Sequence, residues 1–317
     1  MSHSGTPIEA ALASRPAPTG GPASRMDPAP AADRATRTDR VPTTDRAAQA
    51  GSAPTTDPST TTGIAQGAGS AARSEASGET DPALPGGRLP RHLGVIVDGN
   101  RRWARASGIT TADGHSRGAE KIREMLEWCE ELGIEHVTVW MLSTDNLSRT
   151  ADELGALYGI IEDSVERIVD AGFAVQLAGC VDVLPAHTRD RLAVLLERAR
   201  GERRVMVNLA IGYGGRREIV DGVRSLVREL AAQGLSGEEI AEQITVEQVG
   251  QKLYTAGQPD PDFVIRTSGE QRTSGFLLWQ SVHTELWFTR THWPAFEREE
   301  FLEALADYCR RERRFGC

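Results

Sequence analysis

The sequence predicts an α/β protein with a mainly parallel central sheet flanked by helices. After residue 90, short runs rich in Val, Ile and Leu alternate with longer amphipathic segments, and this alternation is typical of strands joined by crossover helices. The strand candidates are nearly continuous in apolar residues, as expected of strands buried on both faces. Every Phe, Trp and Tyr also lies after residue 90. We therefore expect residues 89–317 to form a single domain with a sizeable core.

The first 88 residues differ sharply in composition. Twelve of the 16 prolines lie in residues 1–90, among many Ala, Thr, Ser and Gly residues. A segment with so little apolar surface cannot offset the entropy that ordering it would cost. We expect residues 1–88 to be a disordered tail rich in Ala, Pro, Thr and Ser.

Six strands are expected, each from a short apolar run. They cover residues 93–97, 136–142, 173–178, 205–211, 263–266 and 285–288. Between them, apolar residues recur at three- and four-residue spacing, which predicts helices. In the first long helix, over 115–132, Ile122, Met125 and Cys129 follow this spacing and Gly133 supplies the stop. The other expected helices cover 154–171, 188–200, 216–233 and 301–311.

Charge and cysteine content exclude several classes of protein. The formal net charge is −9, which argues against a nucleic-acid-binding surface. The four cysteines show no CxxC pair and no metal-ligand spacing, so reduced thiols are expected. No apolar run reaches the length of about 18 residues that spans a membrane. We expect a cytoplasmic protein without stable membrane insertion; peripheral membrane association is left open.

The most informative stretch follows the first expected strand and reads Asp98-Gly-Asn-Arg-Arg-Trp103. The strand ends in an acid, Gly99 permits a tight turn, and a helix is expected near Asn100. Ligands bind at the carboxyl ends of strands in open α/β sheets, and a helix start offers free N–H groups to a phosphate. An acid beside a phosphate repels it unless a cation lies between, so Asp98 is a candidate ligand of Mg²⁺ shared with a diphosphate. The alternative is that Asp98 only caps the helix.

A second candidate anion site follows the fifth expected strand. The stretch from Arg266 to Gln280 contains Arg272 and Ser274 among several Gly and Thr residues. Guanidinium groups bind phosphate oxygens through a planar fork of donors. Two arginines and a serine within nine residues of a buried strand therefore predict anion binding. The alternative is a solvated loop with surface arginines.

Together these stretches resemble the cis-prenyltransferases, the undecaprenyl diphosphate synthase family. The resemblance covers essentially all of residues 91–317 and none of 1–90. Its motifs occur in the order typical of the family. They are Asp98-Gly-Asn-Arg-Arg-Trp, Gly114-His115, Ser143-Thr-Asp-Asn, Asn208, Gly212-Tyr-Gly-Gly-Arg216, Arg266-Thr-Ser-Gly-Glu-Gln-Arg272, Phe276-Leu-Leu-Trp-Gln280 and Glu285-Leu-Trp-Phe. The DDxxD motifs of the trans-type prenyl synthases do not occur in the sequence.

The resemblance implies a Mg²⁺-dependent condensation of isopentenyl diphosphate with an allylic diphosphate, which forms a cis double bond and releases diphosphate. It implies that Asp98 and Asn100 act in catalysis and that Asp98 and Glu285 hold the metal. The residues that it implies for the allylic diphosphate are Gly99, Asn100, Arg101, Arg102, His115 and Arg149. Further substrate-binding residues that it implies are Trp103, Ser143 and Asp145. Those that it implies for isopentenyl diphosphate are Arg266, Arg272 and Ser274.

Product length in this family depends on an apolar tunnel, for which Met141, Met125 and Trp128 are the candidate walls. The stretches 139–147 and 254–262 most resemble the short-chain actinobacterial branch, which makes (2Z,6E)-farnesyl diphosphate from geranyl diphosphate. One alternative is a long-chain synthase of the undecaprenyl or decaprenyl type. Another, from a different class, is a non-catalytic partner subunit of a prenyltransferase complex.

The end of the chain and three departures from the family pattern complete the expectations. Arg314-Phe315-Gly316 matches a C-terminal element that reaches the partner's isopentenyl site, which implies a homodimer. The departures are Thr111, where many members have arginine, Asp113 in place of an aromatic residue, and Asp145 in place of glutamate. Arg105 and Arg117 are the nearby cations that could replace the arginine absent at position 111.

Overall fold

A computed structural model describes residues 84, 88–199 and 204–311. These residues form one α/β domain around a six-stranded parallel sheet. The strands are β1 (His92–Ile96), β2 (His136–Ser143), β3 (Ala174–Ala178), β4 (Met206–Tyr213), β5 (Phe263–Arg266) and β6 (Glu285–Phe288). Their order across the sheet is β3-β4-β2-β1-β5-β6. Since all of them run in the same direction, their carboxyl ends meet at one edge.

Helices cover both faces of this sheet. They are α1 (Asn100–Ala106), α2 (Thr111–Glu131), α3 (Ala151–Asp170), α4 (Ala186–Arg198), α5 (Gly215–Ala232), α6 (Gly237–Gln243), α7 (Val246–Gly250) and α8 (Arg298–Arg310). A short 3₁₀ helix, Thr144–Ser148, follows β2. The expected fold class is confirmed, and the ends of the six expected strands shift by no more than two residues.

The core is divided between the two faces. Leu93 and Val95 of β1 belong to the larger cluster, together with apolar residues of α2, α3, α4 and α8. Successive strand residues point to opposite faces, and Ile96 accordingly belongs to the cluster on the other face. In the larger cluster Cys129 is fully buried and its Sγ donates to Met125 Sδ at 3.5 Å. Burial raises the pKa of the Cys129 thiol.

A chain of buried polar groups crosses the amino ends of the strands. His92 Nδ1 lies 2.7 Å from the carbonyl oxygen of Pro259, and its Nε2 lies 2.7 Å from Thr138 Oγ1. Asn208 Nδ2 donates to the same hydroxyl at 2.9 Å. A neutral imidazole that donates through Nδ1 and accepts at Nε2 satisfies all of these groups. Burial lowers the pKa of His92 to about 4, which keeps the ring neutral at ordinary pH.

Helix boundaries differ from expectation where capping residues set them. We expected α2 to begin at His115, but it begins at Thr111 because Thr110 and Asp113 form a capping box. Asp113, one of the departures from the family pattern, thus serves to start the helix. The short helices α6 and α7 were not expected, although Ser236 and Glu239 form a second capping box at the start of α6.

Two expectations lie largely outside the described residues. These are the disordered tail over 1–88 and the role of Arg314-Phe315-Gly316. Leu84, near the end of the expected tail, packs against the larger core cluster together with Leu89. Among the described residues, no helix is both long and apolar enough to cross a membrane.

Candidate active site

A cavity of about 1270 Å³ opens at the carboxyl edge of the sheet. It lies beyond the ends of β1, β2 and β5, between α1, α2 and α3. Most of the residues predicted for the site line this cavity. They are Asp98, Gly99, Asn100, Arg101, Arg102, His115, Met141, Ser143, Asp145, Arg149, Arg266 and Ser274.

The backbone of Asp98 is fixed two residues beyond the end of β1. Thr267 Oγ1, just after β5, donates to the Asp98 carbonyl oxygen at 2.7 Å and accepts from the Asp98 N–H at 3.0 Å. The N–H of Trp293 donates to the same carbonyl oxygen at 3.0 Å. The pairing of β1 with β5 therefore places Asp98 beside the residues that follow Arg266.

The carboxylate of Asp98 lies between two guanidinium groups. Its Oδ1 accepts from Arg102 Nη2 at 3.1 Å, and its Oδ2 accepts from Arg266 Nη2 at 3.0 Å. Arg102 belongs to α1, whereas Arg266 ends β5 and is only 6% exposed. The two anion sites predicted from distant parts of the sequence thus meet at this carboxylate.

Glycines allow α1 and α2 to approach closely around Asn100. A Cβ at Gly118 would lie 2.4 Å from Asn100 Oδ1, and one at Gly114 would lie 2.7 Å from the Asn100 carbonyl oxygen. Gly99 precedes the helix with φ of 106°, a conformation that favours glycine. Asn100 Nδ2 lies 3.4 Å from His115 Nδ1, while its Oδ1 is buried without a hydrogen-bond partner. That oxygen lies against α2 at Gly118.

The wall around His115 is electropositive. Burial and the adjacent guanidinium groups of Arg149 and Arg101 lower the pKa of His115 to about 4. The same two causes, burial and the charge of Arg101, lower the pKa of Arg149. Glu153 Oε1 lies 3.2 Å from Arg149 Nη1 and 3.4 Å from Arg101 Nη1. Glu153 therefore pairs with both of these guanidinium groups at once.

The second candidate anion site is built around Arg266. Its Nη1 donates to Ser274 Oγ at 2.9 Å and to the carbonyl oxygen of Arg272. The side chain of Arg272 is 61% exposed and pairs with Glu270 Oε2 at 2.6 Å. Glu270 Oε1 also lies 3.5 Å from Arg102 Nη1. Arg266 and Ser274 therefore face the cavity together, whereas Arg272 lies outside its lining.

Glu285 lies far from Asp98 within the protomer. It begins β6 and pairs in register with Phe263 at the amino edge of the sheet. Five residue steps along the strands separate this edge from Asp98, a distance of about 15 Å. The carboxylate of Glu285 accepts from Arg311 Nη1 at 2.8 Å. In the described chain the two acids predicted to hold the metal therefore do not meet.

Three other predicted residues also lie outside the cavity lining. Met125 is fully buried in the larger core cluster, and Trp128 packs against Phe301 with ring centroids 5.7 Å apart. Trp103 is half-buried on α1. Of the three residues expected to limit product length, only Met141 reaches the cavity.

The apolar end of the cavity includes walls that the sequence did not reveal. Beside Met141, α3 contributes Ala156, Leu157 and Ile160. Their spacing of three and four residues places them on one face of that helix. The same spacing describes a helix that packs on a core, so the pattern alone could not separate cavity wall from core.

The structure distinguishes between the two arginines that could replace the one absent at position 111. Thr111 and Arg105 both line the cavity, whereas Arg117 does not. Arg117 Nη1 instead pairs with Glu120 Oε2 at 2.9 Å on the surface of α2. Of the two candidates, Arg105 is the one placed to contact a ligand.

The site residues fit a Mg²⁺ ion that a diphosphate brings with it. Asp98 offers a carboxylate whose side chain is 28% exposed at the cavity. Over the described ranges, no group of three or more His, Cys, Asp or Glu side chains could hold a metal by itself. Mg²⁺ is commonly bound by one or two carboxylates plus phosphate oxygens. A single carboxylate flanked by arginines is compatible with that arrangement.

Known proteins resemble the chain over the whole of this domain. A family model described as "Putative undecaprenyl diphosphate synthase" matches residues 96–316. The "Short-chain Z-isoprenyl diphosphate synthase" of Mycobacterium leprae is 54% identical over 232 residues, which cover 72% of this chain and 88% of that protein. The "(2Z,6E)-farnesyl diphosphate synthase" of Thermobifida fusca is 52% identical over 236 residues, 74% of this chain and 93% of that protein.

A solved structure agrees with these sequence matches. The lavandulyl diphosphate synthase of Lavandula x intermedia, in complex with dimethylallyl diphosphate, superposes with a TM-score of 0.66 at 32% identity. The match covers 72% of this chain and 99% of that one. With its parallel sheet, its arginine-lined cavity and these relatives, the chain belongs to the cis-prenyltransferase family described as putative undecaprenyl diphosphate synthases.

Proposed function

We propose that this protein condenses isopentenyl diphosphate with geranyl diphosphate and forms (2Z,6E)-farnesyl diphosphate. A bond forms between C4 of the isopentenyl unit and C1 of the allylic unit. Diphosphate leaves C1 with the bonding electrons, and a proton leaves C2 of the isopentenyl unit as the cis double bond forms. Relatives that are 52–54% identical are named for short-chain Z products, which supports this assignment.

The observation that carries the proposal is the meeting of two cation clusters at one carboxylate inside a cavity. Arg102 and Arg266 both reach Asp98, at 3.1 and 3.0 Å. Two polyanionic substrates that react with each other must each be bound by their own set of donors, and the two binding positions must be adjacent. The cavity provides this arrangement at its charged end and an apolar wall at its other end.

The residues on the α1 side would bind the allylic diphosphate. The N–H groups at the start of α1 and the side chains of Arg101, Arg102 and Arg149 would bind its oxygens, and Asn100 would orient the reacting groups. Mg²⁺, held by Asp98 and the diphosphate, would neutralise charge on the departing group. His115, kept neutral by burial, would offer its unpaired ring nitrogen as a hydrogen-bond partner.

The residues after β5 would bind isopentenyl diphosphate. Arg266 and Ser274 line the cavity together, 2.9 Å apart. Arg272 would join them by exchanging its ion pair with Glu270 for one with the substrate, because its side chain is 61% exposed. Preorganised donors of this kind stabilise charge that develops in the transition state.

A homodimer would complete this site. In this proposal Glu285 serves as a second metal-side carboxylate across the dimer interface, and the segment Arg314-Phe315-Gly316 reaches the partner's isopentenyl subsite. The placement of Glu285 at the sheet edge opposite Asp98 supports a role between protomers, because it cannot reach the Asp98 of its own chain.

The test is product analysis with the purified full chain. It is incubated with Mg²⁺, labelled isopentenyl diphosphate and, separately, dimethylallyl, geranyl and farnesyl diphosphate, and the products are sized. A C15 product from geranyl diphosphate is expected. Products of C50 to C55 would instead support the long-chain alternative. No incorporation without a second protein would support the non-catalytic subunit.

A further inference from the structure

The cavity reaches both faces of the sheet at the end of β2. Trp140 and Met141 are adjacent in this strand, so their side chains point to opposite faces. Met141 packs against the larger core cluster, whereas Trp140 packs against the cluster that contains Ile96. Both residues line the cavity. The two faces therefore offer two apolar walls, of which only the one beside Met141 has a role in the expected product tunnel.

Trp140 shares its face of the sheet with the donors of the second candidate anion site. Ile96 pairs in register with Trp140 on one side and with Arg266 on the other. Paired residues of neighbouring parallel strands point to the same face, and two strand spacings separate the Cα atoms of Trp140 and Arg266 by about 10 Å. Arg266 donates to Ser274 Oγ at 2.9 Å, and these four residues all line the cavity. A ligand held by Arg266 and Ser274 would thus lie on the same face as the Trp140 ring, with Ile96 beneath the space between them.

The ring of Trp140 is supported by two other aromatic rings. Phe276, two residues after Ser274, stacks on it with ring centroids 5.3 Å apart and an interplanar angle of 10°. Tyr213 meets it edge-on, with centroids 6.0 Å apart. Phe276 and Tyr213 are fully buried, and of these three rings Trp140 is the one that lines the cavity. The ring is therefore held from behind and presents a fixed wall to the cavity.

The indole N–H of Trp140 makes no contribution to this packing. Nε1 is buried and has no hydrogen-bond acceptor among the described residues. A buried donor without a partner costs free energy, and phenylalanine at this position would avoid that cost. Hydrogen bonding within the described chain therefore does not account for a tryptophan here, which leaves the space that its ring occupies.

We propose that Trp140 is the wall that sets the size of the hydrocarbon accepted in the isopentenyl subsite. The ring limits the space between itself and Arg266 to the branched five-carbon unit of isopentenyl diphosphate. A homoallylic diphosphate with a larger substituent on C3 would collide with the ring. This inference rests on the assignment of Arg266 and Ser274 to isopentenyl diphosphate made above.

The test uses the ethyl homologue of isopentenyl diphosphate, which has an ethyl group in place of the methyl group on C3. Its C4 bonds to C1 of geranyl diphosphate, diphosphate leaves C1 with the bonding electrons, and a proton leaves C2 of the homologue. The product is a C16 diphosphate. The measured quantity is the selectivity ratio, kcat/KM for the ethyl homologue divided by kcat/KM for isopentenyl diphosphate, at saturating geranyl diphosphate. Because one extra methylene in a tight apolar pocket lowers such a ratio by roughly 10- to 200-fold, we expect a low ratio for wild type.

Trp140→Leu removes the indole and keeps an apolar side chain. We expect it to raise the selectivity ratio about tenfold or more, with the KM for geranyl diphosphate within about twofold of wild type. The product from isopentenyl diphosphate should remain C15. Trp140→Phe keeps one ring and leaves no donor unpaired, so it should fold as wild type does and raise the ratio by a smaller factor. If Trp140→Leu does not fold, Trp140→Phe alone decides the test.

Met125→Ala controls for loss of core packing. Met125 is fully buried in the larger core cluster and lies outside the cavity lining. Its truncation should leave the selectivity ratio unchanged at a temperature where the protein is folded, as checked by circular dichroism.

The outcomes separate this inference from the proposed function. If wild type makes no prenyl product from isopentenyl diphosphate, the proposed function fails. If wild type is active and the folded Trp140 variants keep its selectivity ratio, the inference is overturned. A wild-type ratio near one would also overturn it, because the ring would then not restrict size. So would a Trp140→Leu variant that makes longer products at an unchanged ratio, because the ring would then belong to the product tunnel.

Discussion

Asp98 illustrates how the cations of the site are held before any substrate arrives. Its carboxylate pairs with Arg102 and Arg266, while Glu270 pairs with Arg272 and lies near Arg102. Each guanidinium group is thus oriented by an acid of the protein itself. In the proposed mechanism, binding of a diphosphate would exchange these partners and would not require the arginines to be ordered from solution.

The first prediction concerns Asp98→Ala. We expect turnover with isopentenyl and geranyl diphosphates to fall by more than about a thousandfold, because in the proposed mechanism the carboxylate acts on charge that develops in the transition state. The fold should survive with a modest loss of about 1–3 kcal/mol, since Arg266 loses one partner. Rate measurement with a circular dichroism melt checks both points. Asp182→Ala, at an acid whose side chain is 86% exposed, is the control, and near-normal turnover by a folded Asp98→Ala variant would contradict the assignment.

The second prediction concerns pH and His92. Its pKa is about 4 in the folded protein, below the ordinary value of 6.5. Between these pH values the unfolded chain binds a proton that the folded chain does not. The contribution of His92 to the free energy of unfolding is therefore fully present above pH 6.5. It is lost as the pH falls towards 4, by about 1.4 kcal/mol per pH unit.

Denaturant titration at several pH values measures this dependence. His92→Gln should show a shallower loss of unfolding free energy than wild type between pH 6.5 and 4. His187→Gln is the control, because the side chain of His187 is 73% exposed. Equal slopes for wild type and His92→Gln would show that folding does not lower the pKa of His92. The pKa of His115 is lowered as well, but His115 is present in both wild type and His92→Gln.

At the level of elements, β2 and α3 together form the apolar end of the cavity. The third prediction is that Met141→Ala lengthens the product. Met141 occupies cavity volume that a growing prenyl chain would fill, and its loss should shift a C15 product towards C20 and longer. Met125→Ala is the matched control, because Met125 is buried in the core and lies outside the cavity lining. This substitution should lower the free energy of unfolding by about 2–5 kcal/mol and leave the product length unchanged.

Product sizing at low temperature separates altered length from unfolding. An unchanged product from a folded, active Met141→Ala variant would assign the end of the cavity to other residues. Leu157 and Ile160 of α3 would then be the next positions to truncate.

The strands could be predicted from sequence, whereas parts of the site could not. Strand runs such as 263–266 are short, mainly apolar and bounded by polar residues, so their positions could be predicted from the sequence. The proximity of residues next to strand ends, such as Asp98 and Arg266, could also be predicted, because parallel strands bring their carboxyl ends together. The walls from α3 could not be predicted, since an apolar helical face looks the same against a core and against a cavity.

Glu285 and Met125 show two further limits of sequence reasoning. Glu285 belongs to a family motif, but its position at the start of β6 places it at the edge opposite Asp98. Met125 follows the helical apolar pattern, yet it points into the core. Sequence spacing identified the element in both cases. The surroundings of the side chain depend on packing between elements that are distant in sequence.

At the level of the whole molecule, the boundary between tail and domain is testable. The fourth prediction is that deletion of residues 1–80 leaves the turnover rate and Tm almost unchanged. That segment contains no aromatic residue and no motif residue. The deletion stops short of Leu84, which packs against the core. Removal of residues 1–88 is the comparison and should lower the Tm, because it also removes that contact.

A Tm lower by several degrees, or the loss of most activity, after deletion of residues 1–80 would contradict this boundary. The tail would then contribute contacts to the domain. A deletion of residues 1–80 that behaves as wild type, beside a less stable deletion of residues 1–88, would place the start of the domain between these two positions.

The burial of Cys129 also makes the core observable by chemistry. A thiol with a raised pKa and no solvent contact reacts with an alkylating reagent only when the core opens around it. Its labelling rate, followed by mass spectrometry to separate it from Cys180, Cys309 and Cys317, therefore reports the opening equilibrium without denaturant. A ligand that binds only the closed protein slows this labelling in proportion to its occupancy. The same cysteine can thus report the binding of either diphosphate under conditions where no reaction takes place.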